Sequence, residues 1–226
     1  MKTLRLLILL MVVTTYSFGQ KIYFGGGLAP STTWLLNKQV SDDGDEQDYA
    51  ISGSLRYGLM AGVKLTDAIG VELGLYMGSH NQKYEGTYNL LNLSYTSKTT
   101  LKTIDIPLML KFGEKVYFEL GPVFTMINSA TFESEVNGGN TNSTSVSGDF
   151  KKSSIGAAIG VGGDIEITKS LFINLGFRGS YGLGDIEGVN ALGATKDEVA
   201  PDEKSNFKTN TIIGTFLLGV KYQIGR

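Results

Sequence analysis

The sequence predicts an all-β chain: an eight-stranded antiparallel up-and-down barrel that crosses a membrane, with tight turns at one end and long loops at the other. Three observations predict it. The strand-like runs alternate apolar and polar residues for longer than the ~5–6 residues usual in globular strands, and suit the ~9–11 of a tilted membrane strand. Short and long connectors alternate along the chain. The polar faces carry balanced charges and many glycines, as a narrow, side-chain-filled interior requires.

The first twenty residues, MKTLRLLILLMVVTTYSFGQ, read as an export leader. Lys2 and Arg5 form a positive start, Leu6 to Val13 a short apolar core, and Ser17 and Gly19 the small residues before a cut at Gln20. The apolar run is shorter than the ~20 residues of a spanning helix. We therefore expect a cleaved signal peptide over 1–19 and a single barrel domain over 20–226, exported to the cell envelope. The net charge of −2 offers no basic footprint for nucleic acid, and the chain has no cysteine for disulfides or thiolate metal sites.

Eight strands are expected, at about 21–29, 50–65, 69–80, 100–112, 116–127, 153–167, 171–182 and 208–225. In the third, Ile69, Val71, Leu73, Leu75 and Met77 share one face, and Gly70, Glu72, Gly74 and Gly78 the other. The sixth sets Ile155, Ala157, Ile159, Val161, Ile165 and Ile167 against Ser154, Gly156, Gly160, Gly162, Asp164 and Glu166. The last sets Ile212, Phe216, Leu218, Val220, Tyr222 and Ile224 against Thr211, Thr215, Gly219, Lys221 and Gln223. TDA (66–68), GEK (113–115) and TKS (168–170) are tight turns; 30–49, 81–99, 128–152 and 183–207 are long loops. Strict alternation puts all turns at the periplasmic end and all loops outside. VELGLYMG (71–78), FELGPVFT (118–125) and INLGFRGS (173–180) echo one another and set Glu72, Glu119 and Asn174 at one height.

The polar faces carry the acids Glu72, Asp105, Glu119, Asp164 and Glu166 and the bases Arg56, Lys64, Lys111, Arg178 and Lys221. An isolated buried charge costs several kcal/mol, so five against five implies a lumen charge network with lipid on the other face. Glycines beside these side chains make room for them. Pro107 and Pro122 interrupt a hairpin that a barrel should bond on both sides. With the turn centred near Glu114, Pro107 is expected opposite Gly121 and Pro122 opposite Ile106, in a local pairing defect.

This hairpin, LKTIDIPLMLKFG followed by KVYFELGPVFTMI, resembles the paired signature of PorT-like, porin-family outer-membrane β-barrel proteins. The matching residues are Asp105, Ile106, Pro107, Leu108, Leu110, Lys111 and Phe112, then Tyr117, Gly121 and Pro122. The resemblance implies an outer membrane protein beta-barrel domain in the bacterial outer membrane and names no substrate. The chain departs from such barrels at its end: Tyr222 and Ile224 keep the outward alternation, but the last residue is Arg226 where an aromatic is usual.

No catalytic constellation emerges. His80, the only histidine, is read as a polar residue at a strand end, with Ser79 on the opposite face. DDGDEQD (42–48) lacks the ordered ligand spacing of a calcium loop and is read as solvated. NGGNTNSTSVSG (137–148) is read as a loose loop tip, and Trp34 as an interfacial anchor. The expected function is therefore non-enzymatic, with no cofactor and no catalytic or metal residues. The barrel would be a monomer that acts through its outer loops in binding, assembly or surface structure. Its partners would be outer-membrane lipid, lipopolysaccharide and other envelope proteins. A narrow channel for ions or small solutes is the first alternative, and an enzyme modifying lipid A the second.

Overall fold

A ring of eight antiparallel strands closes on itself. The computed structural model describes residues 21–37, 40, 47–88, 93–199 and 207–225. The expected leader lies outside these residues, as does most of the acidic run at 42–48. The strands are β1 (Lys21–Asn37), β2 (Asp48–Ala50), β3 (Gly53–Lys64), β4 (Ile69–Tyr88), β5 (Leu93–Phe112), β6 (Val116–Val136), β7 (Asn142–Ser145), β8 (Ser153–Thr168), β9 (Leu171–Gly182) and β10 (Thr209–Ile224). The ring runs β1–β3–β4–β5–β6–β8–β9–β10 and returns to β1, where Lys21 to Asn37 pair with β3 on one side and β10 on the other. No strand of the ring is left with an open edge, which is the condition for backbone to cross lipid. The short β2 and β7 lie outside the ring, against β4 and β6.

The two faces are inverted relative to a soluble protein. Along β5, Tyr95, Ser97, Thr99, Leu101, Thr103, Asp105, Met109 and Lys111 are buried, while Leu108 and Phe112 on the alternate row are exposed. On β4, Glu72 is buried at 3% exposure and its neighbour Leu73 is 51% exposed. Outward side chains are apolar from Ile69 to Met77 on β4, Ile104 to Phe112 on β5 and Val116 to Met126 on β6. About nine residues of tilted strand make a band of the ~25 Å height that an outer membrane presents. Trp34 sits outward on β1, opposite Ile212.

Four strands run further than the sequence suggested. β1 continues to Asn37, β4 to Tyr88, β6 to Val136, and β5 begins at Leu93. The expected ends came from loss of hydropathy contrast. Above the band the outward residues become Asn81, Lys83, Glu85, Thr96, Lys98 and Glu133, while the inward ones include Gln82, Ser97 and Thr99. Both faces are then polar, yet the Thr and Tyr content still favours strand. The expected loose tip at 137–148 is also corrected. Residues 142–145 pair with β6, and Val146 is buried.

The prolines have a common effect. Pro107 pairs with Val123, not with Gly121, and the β4–β5 ladder lapses between Leu73↔Leu108 and Tyr76↔Asp105. Pro122 pairs with Ala157 on β8, and the β5–β6 ladder lapses between Pro107↔Val123 and Leu110↔Leu120. Pro30, expected in a loop, lies within β1 opposite Leu55, and the β1–β10 ladder lapses between Leu28↔Leu218 and Ser31↔Thr215. Each proline lacks one N–H, so each keeps one neighbour and loosens the other. The true bulge of the hairpin lies higher, where Thr103 faces Ile127 and Lys102 faces Ser129.

Candidate functional site: the lumen

The lumen is filled in two storeys. The lower one is ionic. The Glu72 carboxylate accepts from Lys111 Nζ at 2.5 Å and from the Tyr23 hydroxyl at 3.0 Å, and lies 3.2 Å from Lys221 Nζ. Arg178 Nε donates to Glu119 at 2.6 Å, while its Nη2 stands 3.9 Å from Glu72. Lys111 also lies 3.6 Å from Glu119, so the two carboxylates share cations. Below them Asp164 accepts from Lys221 at 3.0 Å and from Asn174 at 2.7 Å. Asn174 donates in turn to the Tyr117 hydroxyl at 2.8 Å, and Lys111 Nζ rests 4.1 Å from the centre of the Tyr117 ring. Glu72, Glu119 and Asn174, the echoed positions of the three upward strands, thus meet in one network.

Above this lies a second polar group. Arg56 donates from Nη1 to Asp105 at 2.5 Å and from Nη2 to Thr215 at 2.6 Å. His80 Nε2 is 2.9 Å from the same Asp105 oxygen, and its Nδ1 is 3.3 Å from the Thr33 hydroxyl. Thr125 donates to the other Asp105 oxygen at 2.7 Å. His80 is therefore a buried member of the lumen and not a strand-end residue, because β4 continues eight residues past it. No hydropathy signal marked this, since the strand around it is polar on both faces.

The sequence-predicted residues divide accordingly. Arg56, Glu72, Asp105, Lys111, Glu119, Arg178 and Lys221 are buried together in the lumen, with Asp164 at their lower edge. Lys64 and Glu166 occupy the same inward rows but lie at the periplasmic mouth, where Glu166 is exposed. They line an open cup of about 220 Å³ with Lys21, Glu114, Lys115 and Lys169. The expectation that all ten charges form one interior network is corrected to seven buried residues and Asp164. The strand period gives a residue's face but not its height. Of the hairpin motif, Asp105 and Lys111 enter the lumen as ion-pair partners, Tyr117 stacks against Lys111, and Ile106, Leu108 and Leu110 face outward. Pro107, Gly121 and Pro122 shape the ladder. A Cβ on Gly121 would collide with the backbone of Leu108 and Met109.

Tyr23, which sequence reasoning missed, and Tyr117, which it named only as a motif residue, hold the floor of this site. Glycines opposite make their space: a Cβ at Gly62 would strike the Tyr23 ring and hydroxyl, and one at Gly162 the Tyr117 hydroxyl. A Cβ at Gly160 would approach a Glu119 carboxylate oxygen to 2.8 Å. The signal was present in the glycines themselves, whose inward positions mark where a neighbouring strand sends its largest side chains.

The upper storey holds an apolar cluster among buried polar residues such as Gln82, Ser97 and Thr99. Leu35, Leu101, Ile127, Ala130, Phe132, Val146, Phe150, Ile186 and Val189 form one buried cluster. Val146, Phe150, Ile186 and Val189 come from the connectors after β6 and β9, so the outer loops fold back into the barrel mouth. Lys151 N–H donates to Ile186 carbonyl at 3.0 Å, and Gly188 N–H to Asp149 carbonyl at 2.9 Å, which tie the two loops together. Ser97 donates to the Ala191 carbonyl at 2.5 Å and holds the second loop against β5. Among the described residues, no group of three or more His, Asp or Glu is placed to hold a metal ion.

Residues 18–188 match the family described as "Outer membrane protein beta-barrel domain". The chain belongs to this family. It is a protein of the bacterial outer membrane. No curated protein matches the sequence significantly. Among solved structures, the outer membrane protein OprG of Pseudomonas aeruginosa is similar at 18% identity and a TM-score of 0.50, over 91% of this chain and 96% of that one. Ail of Yersinia pestis is similar at 15% identity and a TM-score of 0.43, over 90% and 98%. Neisserial surface protein A is similar at 14% identity and a TM-score of 0.41, over 90% and 96%. At such identities the likeness to OprG is one of fold.

Proposed function

We propose that this outer-membrane barrel is non-enzymatic and works at the cell surface, through the sheet and loops that stand above the membrane. The observation that supports this reading is the filling of the lumen, ionic below and closed above by an apolar cluster among buried polar residues, under a large outer structure. Buried ion pairs resist opening, because separating them strands a charge in a low-dielectric interior. The apolar plug adds a second barrier to dissolved ions. Meanwhile the outward faces of β4, β5 and β6 beyond the band carry Lys83, Glu85, Lys98, Glu133 and Glu135 around an open groove of about 430 Å³. A polar, mixed-charge surface of this kind suits binding or assembly with other envelope components. Lys102 and Lys152, just above the apolar band, form no ion pair among the described residues and suit the phosphates of lipopolysaccharide. The leader at 1–19 would be cleaved on export, and the barrel would be a monomer.

Single-channel recording in planar bilayers tests the closed lumen, and site-directed photocrosslinking from positions 98 and 133 in intact cells tests the surface role. The expected results are conductance near baseline and defined crosslinked envelope products. A large, steady wild-type conductance would put the channel reading first. The channel reading is the alternative.

A further inference from the structure

We propose that the middle of the lumen holds a single monatomic anion, of the chloride class, between Arg56 and Arg178. This goes beyond the surface role and does not depend on it. A void of about 20 Å³ lies between the lower ionic network and the Arg56–Asp105 group above it, and both arginines line it. Both are buried, at 6% exposure each. Arg56 Nε and Arg178 Nη2 are buried nitrogens without a hydrogen-bond partner. A buried donor left unmade is costly, and more so on a charged group. The hydroxyls of Thr215 and Ser180 line the same void. Thr215 already accepts from Arg56, so its own proton is available to a guest.

The wall carries two guanidinium groups, three hydroxyl-bearing side chains (Tyr76, Ser180 and Thr215) and one carboxylate. Its one carboxylate is Asp105, whose Oδ2 receives Arg56 and His80 and whose Oδ1 receives Thr125. A water in the void could accept from the arginines and donate to a hydroxyl oxygen of Tyr76, Ser180 or Thr215, so water is the competing guest that the test must separate. A halide accepts from every side and donates nothing. Arg178 is paired with Glu119 at 2.6 Å and Arg56 with Asp105, so what favours this guest is the donors the two guanidinium groups leave unmade and not a net charge. The space suits a particle about the size of a water, since a cavity of roughly 10–15 Å³ holds one. Sulfate, phosphate and gluconate are too large.

The test is crystallography of the full barrel grown in sodium bromide, with data collected at the bromine edge, together with urea unfolding in chloride, bromide and gluconate at equal ionic strength. One anomalous peak within hydrogen-bonding distance of both Arg56 and Arg178 is expected. At halide a hundredfold above its dissociation constant, the unfolded fraction should fall by about a hundredfold relative to gluconate. Ala29→Val, which fills the void from β1 and leaves both arginines in place, should abolish the halide effect. Ordinary water density without an anomalous peak, bromide at the surface only, or equal stability in halide and gluconate would each overturn the proposal. Should Ala29→Val fail to fold, the wild-type map and anion series still decide.

Discussion

Removing each lumen carboxylate in turn should produce an order of damage that follows from how many cations lose their last close partner. Glu119→Gln leaves Arg178 with only Glu72 at 3.9 Å, while Lys111 keeps Glu72 at 2.5 Å. Arg178 loses its closest carboxylate and keeps only the longest ion-pair contact of the network, and the cost should reach about 4–5 kcal/mol, the upper part of the range for breaking a buried pair. Glu72→Gln touches more cations but strands none. Lys111 keeps Glu119 at 3.6 Å, Lys221 keeps Asp164 at 3.0 Å and Arg178 keeps Glu119 at 2.6 Å. The amide oxygen can still accept from Tyr23. At 3–4 Å and an effective dielectric constant of ~20, each surviving contact is worth about 4–5 kcal/mol before desolvation. Glu72→Gln should therefore cost about 3 kcal/mol, the lower end of that range. Asp164→Asn acts at the edge of the network, where its side chain is 15% exposed and Lys221 keeps Glu72 at 3.2 Å, and should cost least of the three. Urea unfolding of the refolded variants in lipid vesicles, followed by circular dichroism and by heat-modifiable gel mobility, gives the three values. The reasoning fails if Glu72→Gln proves the most damaging, or if all three lie within error of wild type.

Three further outcomes are expected. Leu73→Arg, at the centre of the outward band on β4, should cost ~2–4 kcal/mol, while Asn81→Arg on the same row above the band should cost less than ~1; equal costs would mean the band is misplaced. Gly62→Ala should destabilise by ~1–3 kcal/mol through collision with Tyr23, and the cost should largely vanish in a Tyr23→Ala background; an unchanged cost there, in a double-mutant cycle, would rule out that contact as the cause. Phe150→Ala should leave a cavity in the loop plug worth ~3–5 kcal/mol and speed amide exchange at 146–150 and 186–191, with no matching rise in β8; uniform acceleration along the chain would show that the plug is not a separate unit.

Much of this barrel was legible because lipid and lumen impose opposite chemistry on alternate residues. Leu73 beside Glu72 is sufficient to tell the faces apart, and the TDA, GEK and TKS turns fix the order of strands. Height is harder to read. Lys64 and Glu166 share the inward row with Glu72 and Asp164, and nothing in the alternation shows that they stop at the mouth. Legibility ends where the membrane does. From Ser79 on β4 both faces become polar, so the sequence there resembles a loop while the backbone continues as strand, and His80 disappears into the interior unannounced. The prolines were legible as a disturbance but not as a location, since a shift of the hairpin's turn moves every partner by two residues.

The extension of β4, β5 and β6 also fixes the direction from which this protein can be approached. From Ser79 to Tyr88 β4 runs ten residues beyond the band. At ~3.3 Å per residue and a tilt of about 40°, that is a rise of roughly 25 Å. The headgroup layer accounts for only ~5–8 Å of it. The barrel therefore carries a fin on one flank, clear of the lipid, while β8 and β9 end lower. A body diffusing in the membrane meets a different neighbour depending on which flank it reaches. Contact with the fin's outward face comes from the side, within the plane of the cell surface, and not from above.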